Sequence, residues 1–587
     1  ASKILWDEIE PGIDPLGLKN KLIMTTGPLT GTLCPGSGSW DICFKSPLTN
    51  VWGETRCGSS WGPELKYAGH DMVILEGLSE ELVYIWICDG RIEIKPAKHL
   101  SGKNTHETEI ALKTEVKDYE AKVACIGKAG ENLVRYACVM SEDRAAGRCG
   151  AGAVMGSKNV KAIVVRGHGE ISVSDPDVFS VDANETEELV KNKLRQSQIW
   201  KAGTIGFYKM YDITGEIPTK YGRSNTWGKL SHILPQFDKK YFIGNKACYG
   251  CTVGCGIYSE VKSGRWATPQ HGGPEYETMA LFSNLIMNKN LEATIHANYL
   301  CNTYGLDTIS CANVIAFAME CRDRGWISKK DTDNIDLTYG NMDAVVNMME
   351  KIVDREGFGA ILAEGVRKAA KKIGERAPKI ALHVKGLEIP AHDPRSNKTL
   401  ALQYGTANRG MCHIHPIETH AGRRFELEPY GQTTFPDRYD EKGHGLVNKL
   451  NQDFGMLHEI LGVCKFYAWI GPITVKRYAR MLSHLVGWTI TDVELLKTGE
   501  RVLNLQRCFN VREGIRRKDD LLPATIRKIP EFGPYSRMSQ TAIVNYNAML
   551  RDYYEERGWN KRTGIPSMKK LKELELADIA EQLSTYL

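Results

Sequence analysis

Three cysteines fall within eight residues in the stretch CYGCTVGC, at Cys248, Cys251 and Cys255. A C-x2-C-x3-C spacing makes a thiolate cradle, and thiolates hold soft metals, either zinc or an iron–sulfur cluster. Structural zinc takes two C-x2-C pairs, or one pair with histidines, and the chain has no second C-x2-C pair. A [4Fe–4S] cluster takes four cysteines and is the better match, with zinc and a cradle without metal as the alternatives. Spacing leaves the fourth ligand open among Cys412 in RGMCHIH, Cys464 in HEILGVCKF and Cys508 in LQRCFNV.

Other residues suit acid–base or phosphate chemistry. Glu277 in GPEYET is a carboxylate and His413 in CHIH an imidazole, residue types that can carry protons. Alone, the glutamate reads first as a solvated acid at a helix start and the histidine as a satisfied core residue. In RAAGR, Arg144, Ala145, Gly147 and Arg148 combine guanidinium forks with glycine-exposed N–H groups, which suit phosphate. A solvated pair of charges is the plain alternative. His415, His420, Arg423 and Arg424 add donors for a polar or acidic substrate, or else form a surface loop. Asn302-Thr-Tyr-Gly305-Leu306-Asp307 reads, on its own, as a helix C-cap.

A chain of 587 residues exceeds one core, so two or three domains must position these groups. Apolar content of 42% and charged content of 25% are those of a soluble globular protein. The net charge of +5 is well mixed, with no basic tract to bind nucleic acid. No run of eighteen uncharged apolar residues exists, and ILGVCKFYAWIGPITV is interrupted by Lys465 and Pro472, so no membrane span is predicted. Sixteen cysteines without a secretory signal argue for a reducing, anaerobic cytoplasm rather than a disulfide scaffold. Isolated ones such as Cys88 and Cys138 read as buried thiols.

Residues 1–172 are β-rich: DMVILEG, ELVYIWICDGRIEIKPA, AKVACIG and VKAIVVRG are short β-branched or aromatic runs between glycines and acids. Helical spacing takes over in 173–382, where NLEATIHANYLCNTYG stops at Gly305 and MDAVVNMMEKIVDREGFG behaves alike, and continues through 383–587. The expected fold is α+β: an N-terminal β-rich, two-sheet domain, then two mainly α-helical domains, with the cofactor at their interface.

The blocks TTGPLTGTLCPGSGSW, KSPLTN, GPELKYAGHDMVILEG, GKAGENLVRYA, RAAGRCGAGAVMGSKNVKAIVV, GPEYET, YGLDTIS and DPRSNKTLALQYGTANRGMCHIH run in order over essentially the whole chain. Together they resemble the tungsten-containing aldehyde:ferredoxin oxidoreductase family. That resemblance implies a tungsten bis-pterin centre, tungsten in preference to molybdenum, beside one [4Fe–4S] cluster. The family's fourth cluster ligand ends a D-x-x-G-L-C motif, which reads Glu459-Ile-Leu-Gly462-Val463-Cys464 here and so implies Cys464 as the ligand. Cys508 is then a packing residue. The related D-x-x-G-L-D motif matches Asn302, Gly305, Leu306 and Asp307 and would serve the other pterin. Arg144, Ala145, Gly147, Arg148, Arg409 and Gly58 match phosphate and pterin contacts, and Glu277 and His413 match the residues beside the metal.

The chain also departs from the family. Ser39 stands for an arginine, His415 for a lysine, and Arg56 for an asparagine that helps hold magnesium between the pterin phosphates. Asn302 and Glu459 replace aspartates. An E-x-x-H pair that binds a dimer-bridging iron is replaced by His296-Ala-Asn-Tyr299. The family's first strand block is expected before Ala1. The resemblance implies oxidation of a small-molecule aldehyde to a carboxylic acid, with Glu277 as base and His413 polarising the carbonyl. Electrons would pass to ferredoxin or an iron–sulfur electron-transfer subunit, within a homodimer or hetero-oligomer. The alternatives are a reductase of the same scaffold acting on a carboxylic acid or aromatic thioester, and a non-catalytic iron–sulfur electron-transfer subunit.

Overall fold

A computed structural model describes residues 1–230, 234–415, 427–432, 435–470 and 473–586. His420, Arg423 and Arg424 lie outside the described residues. Two sheets form within the first 166 residues. Strands β1 (Leu22–Thr26), β2 (Ser39–Lys45), β3 (Trp52–Gly58) and β4 (Met72–Leu75) pair antiparallel in the order β3-β2-β1-β4. Strands β5 (Val83–Cys88), β6 (Arg91–Pro96), β7 (Lys122–Cys125), β8 (Val139–Ser141), β9 (Arg144–Ala146) and β10 (Val160–Arg166) pair in the order β6-β5-β10-β7-β8-β9. Asp89 and Gly90 join β5 to β6 at φ 46° and 81°, the left-handed pair that a two-residue hairpin turn requires.

Side chains alternate between the faces of a strand. In β2 this sends Trp40, Ile42 and Phe44 into a core shared with the second sheet. Cys43 goes to the other face, where it packs with Cys508 and Phe509. The first sheet is therefore sandwiched, and its second face meets the helical part of the chain.

After residue 172 the chain is mainly helical. A three-stranded sheet, β11 (Phe242–Lys246), β12 (Gly256–Val261) and β13 (Thr268–Gly272), carries the cysteine trio between its first two strands. Four helices frame the rest of the site: α1 (Tyr276–Ala280), α2 (Leu291–Tyr304), α3 (Thr308–Asp323) and α4 (His444–Leu461), with α5 (Asp492–Arg512) behind the first sheet. No helix among the described residues is long and apolar enough to cross a membrane.

The two related motifs fold alike. Helix α2 ends at Gly305 with φ 71°, and Asp307 caps α3 by accepting from the Ile309 N–H at 3.0 Å. Helix α4 ends at Gly462 with φ 74°. Each glycine has a left-handed φ and is crowded as well. A Cβ would stand 3.0 Å from the Gly127 nitrogen at position 305 and 2.0 Å from Thr30 Oγ1 at position 462. Only glycine fits both demands, and the chain leaving it turns Leu306–Asp307 or Cys464 toward one cavity.

Candidate active site and metal centre

The cavity, about 390 Å³, opens where both sheets, the cysteine loop and the helix ends meet. Its lining includes Ser39, Arg56, Gly58, Arg144, Ala145, Gly147, Arg148, Asn302, Leu306, Asp307, Arg409, His413 and His415, with Glu277 and the cysteines at 248, 251, 255 and 464. Gly305, Glu459, Gly462 and Val463 stand behind this lining and shape it.

The cysteine loop folds back through Gly250 and Gly254, at φ 57° and 52°. Gly36 ties the remote segment to it: its N–H donates to the Gly250 carbonyl at 3.0 Å, and its carbonyl accepts from the Cys464 N–H at 2.9 Å. A Cβ at position 36 would lie 2.5 Å from the Tyr467 ring and 3.2 Å from the Cys464 Cβ. Gly58 leaves similar room, since a Cβ there would lie 2.9 Å from Cys248 Sγ. The Cys464 thiol is pushed up to about 12 by burial and by Cys251 and Cys248 beside it. Metal binding is what holds such thiols ionised. Cys508 instead packs in α5 against the first sheet, and Cys412 Sγ accepts from Arg409 Nη2 at 2.7 Å.

Cys248, Cys251, Cys255 and Cys464 line the same cavity. Arg144 adds a donor to this centre, with Nη2 at 3.3 Å from Cys255 Sγ and Nη1 at 2.5 Å from Glu275 Oε1. Arg148 and Arg409 bring the phosphate chemistry. Arg148 Nη1 and Arg409 Nε are buried with no hydrogen-bond partner among the described residues, a vacancy for an anion's oxygens. The donors present therefore fit a cluster on the cysteines and a phosphate-bearing pterin beside it.

Arg56 takes a different place from the one its sequence position suggests. It stands directly across from Asp41 in the β2–β3 pairing, and Nε and Nη2 reach the Asp41 carboxylate at 3.0 and 2.7 Å. Nη2 also donates to the His458 carbonyl at 2.6 Å and Nη1 to the Val463 carbonyl at 2.7 Å, with Glu459 Oε2 at 3.1 Å from Nη1. All three guanidinium nitrogens thus serve the protein, clamping the end of α4 to the first sheet. The clamp belongs to a buried charged layer in which Asp41, Glu54 and Glu459 face Arg56, Arg409 and Lys465. His415 Nδ1 lies 2.8 Å from Glu459 Oε1. Burial, with the Arg409 and Lys465 cations, lowers His415 well below its ordinary pKa, so it sits neutral among these charges.

Breaking such a buried pair leaves an uncompensated charge. Arg56→Ala should destabilise the fold by about 3–5 kcal/mol, read as a lowered midpoint in denaturant titration. An unchanged midpoint would mean that the clamp carries no stability.

On the opposite wall Glu277 sits in the first turn of α1. Its Oε2 accepts from the Ala391 N–H at 2.7 Å, while Oε1 lies 3.2 Å from His413 Nε2 and 3.5 Å from His392 Nε2. Burial raises the Glu277 carboxyl above its ordinary value, although His392 and the Ala391 N–H pull the other way. The geometry is a carboxylate between two imidazoles. Among the additional residues at the site, sequence reasoning passed over His392, Glu275 and Lys465. Lys465 pairs with Glu459 in the charged layer. The segment LEIPAHDPRS carried a signal in its histidine, but no spacing linked it to Glu277.

Family comparison gives this arrangement its class. The model described as aldehyde ferredoxin oxidoreductase, N-terminal domain, matches residues 1–167, and that for domains 2 and 3 matches residues 181–576. The chain belongs to the aldehyde ferredoxin oxidoreductase family, oxidoreductases that use a tungsten or molybdenum pterin cofactor.

Within it, the chain is similar to the tungsten-containing aldehyde ferredoxin oxidoreductase of Pyrococcus furiosus, 37% identical over 592 residues that cover 98% of this chain and 94% of that protein. The Pyrococcus abyssi protein of the same name is 38% identical over 590 residues, covering 98% and 93%. The aliphatic sulfonate oxidoreductase, WOR-like subunit, of P. furiosus is 30% identical over 617 residues, covering 99% and 92%. Among solved structures, the active site complex BamBC of benzoyl coenzyme A reductase with 1,5 dienoyl-CoA matches with a TM-score of 0.85 at 27% identity, covering 100% of this chain and 93% of that one.

Proposed function

We propose that this chain oxidises aldehydes to carboxylic acids at a tungsten bis-pterin centre in the cavity. Electrons would leave through a [4Fe–4S] cluster on Cys248, Cys251, Cys255 and Cys464 to ferredoxin. The observation that carries the reading is Glu277, a carboxylate with a raised pKa facing His413 and His392 in the cavity that the four cysteines also line. Arg148 and Arg409 offer donors to the pterin phosphates, and Asn302, Asp307 and Glu459 bracket the two pterin motifs. When bound, the tungsten centre accepts the two electrons of the oxidation, and the cluster passes them on one at a time.

The protein's own residues do the rest. His413 donates to the carbonyl oxygen and orients the substrate. Glu277 takes a proton from water, or from the hydrated aldehyde, as the new carbon–oxygen bond forms. Partial burial keeps bulk water from competing and raises the basicity of Glu277.

An anaerobic assay of metal-loaded protein with a panel of aldehydes and an oxidised viologen tests the reading. Dye reduction by one or more aldehydes is expected. A fully loaded protein that reduces no dye with any of them, yet turns over an alkanesulfonate, a carboxylic acid or an aromatic thioester, would replace aldehyde oxidation with that reaction.

The raised pKa of Glu277 also sets a pH dependence. The base must be ionised, so kcat/KM should fall as pH drops through its elevated value. The acidic limb should therefore lie above the ordinary glutamate pKa of about 4.3. A limb at or below that value would separate Glu277 from the rate.

A further inference from the structure

Aldehyde oxidation makes protons inside a walled cavity: RCHO + H2O gives RCOO⁻, three protons and two electrons. The cofactors would take the electrons, and the protons need their own exit. We infer that His392 and Glu216 form that exit, a relay leading from Glu277 away from the substrate. The inference rests on the aldehyde-oxidising reading above.

The geometry places the three groups in line. His392 Nε2 lies 3.5 Å from Glu277 Oε1, and His392 Nδ1 lies 3.7 Å from Glu216 Oε2. The imidazole thus faces one carboxylate with each nitrogen, the arrangement in which a ring accepts a proton on one side and releases one on the other. Both gaps exceed hydrogen-bond length by about half an ångström. That slack is common before substrate is bound.

The backbone fixes the order. The Ala391 N–H donates to Glu277 Oε2 at 2.7 Å, and the Asp393 N–H donates to the Glu216 carbonyl at 2.6 Å. The residues on either side of His392 are therefore pinned to the two ends of the relay. The Tyr211 and Tyr276 rings pack against the imidazole at 5.0 and 5.1 Å between centroids, and the Tyr404 hydroxyl donates to its carbonyl at 2.6 Å. Among the described residues, the titratable groups facing the ring are Glu277, Glu216 and His413, with the two tyrosines on its faces.

The relay also changes compartment along its length. Glu277 and His392 line the cavity, while Glu216 does not. Glu216 accepts from Thr214 Oγ1 at 2.8 Å, and Thr214 in turn offers its carbonyl to Arg438 Nη2 at 2.7 Å. Thr214 and Arg438 are partly exposed, so the far carboxylate lies just beneath the outer surface. In the transfer, the Glu277 carboxyl O–H breaks as the His392 Nε2–H forms. The His392 Nδ1–H then breaks as the Glu216 carboxyl O–H forms, and Glu216 passes the proton to water. No electron moves in these steps.

The test uses the metal-loaded chain and its Glu216→Gln and His392→Gln variants, assayed in dilute and in concentrated small-molecule buffer. Expected are unchanged metal and pterin content, unchanged KM, and kcat reduced about tenfold to a hundredfold in dilute buffer. Imidazole or formate, which can carry the proton by diffusion, should restore much of the loss, an effect that a purely structural role would not show. A Glu216→Gln enzyme as fast as wild type in dilute buffer overturns the relay, and so does one whose deficit ignores buffer. If Glu216→Gln loses metal, Glu216→Asp decides by the same buffer dependence. A wild type active with aldehydes while the variants behave as wild type sinks the relay alone. A wild type active only in reducing acids or thioesters sinks the aldehyde reading alone, and the relay is then read from proton uptake in that direction. A wild type inactive in both directions overturns both.

Discussion

Glu277→Gln should keep tungsten, pterin and iron at wild-type levels while kcat with aldehydes falls by about 10²–10⁴-fold, or about 3–5 kcal/mol of transition-state stabilisation. The amide preserves the shape of the side chain and its bond from the Ala391 N–H at 2.7 Å, so the cavity wall stays in place and only the proton acceptor is lost. His413→Ala should lower kcat as well, without stripping the cofactors, because His413 meets Glu277 through Nε2 at 3.2 Å and is not among the cysteines that would hold the cluster. Near-wild-type turnover by a fully loaded Glu277→Gln enzyme would place the base elsewhere.

Cys464→Ser should lose or degrade the cluster and, with it, electron transfer to an external acceptor. Three thiolates leave one iron without a protein sulfur, and Cys34, two residues before Gly36, turns its sulfur toward Met481 Sδ at 3.7 Å. Cys508→Ser is the control, since that thiol packs with Trp6 and Phe509 behind the first sheet. Its iron and labile sulfide should equal wild type. Cluster loss at 508 with retention at 464 would reverse the assignment.

The part of this site written in local spacing could be read before folding. Cys248, Cys251 and Cys255 declare themselves in eight residues, and Gly305 ends a helix where the apolar periodicity stops. The hairpin of the second sheet is likewise visible in its Asp-Gly turn. What spacing cannot reach is contact between distant segments. Cys412, Cys464 and Cys508 were equivalent by spacing, and family likeness rather than residue chemistry distinguished Cys464.

Arg56 shows the same limit from the other side. It stands where the family has an asparagine, but the strand register sets Asp41 directly opposite, and register is a property of the folded sheet. His392 was passed over because nothing local ties it to Glu277. The pairing exists only because Ala391 and Asp393 are bonded to elements more than a hundred residues away. Substrate identity is less legible still, because relatives of this scaffold carry names for three different reactions.

The most direct test of the central claim is electron paramagnetic resonance of the oxidised, metal-loaded protein mixed anaerobically with an aldehyde and no other reductant. The signal of a reduced [4Fe–4S] cluster should grow in wild type and fail to grow at a comparable rate in Glu277→Gln, with equal metal content in both. A loaded wild type whose cluster stays oxidised with every aldehyde, while dithionite reduces it readily, would contradict the account.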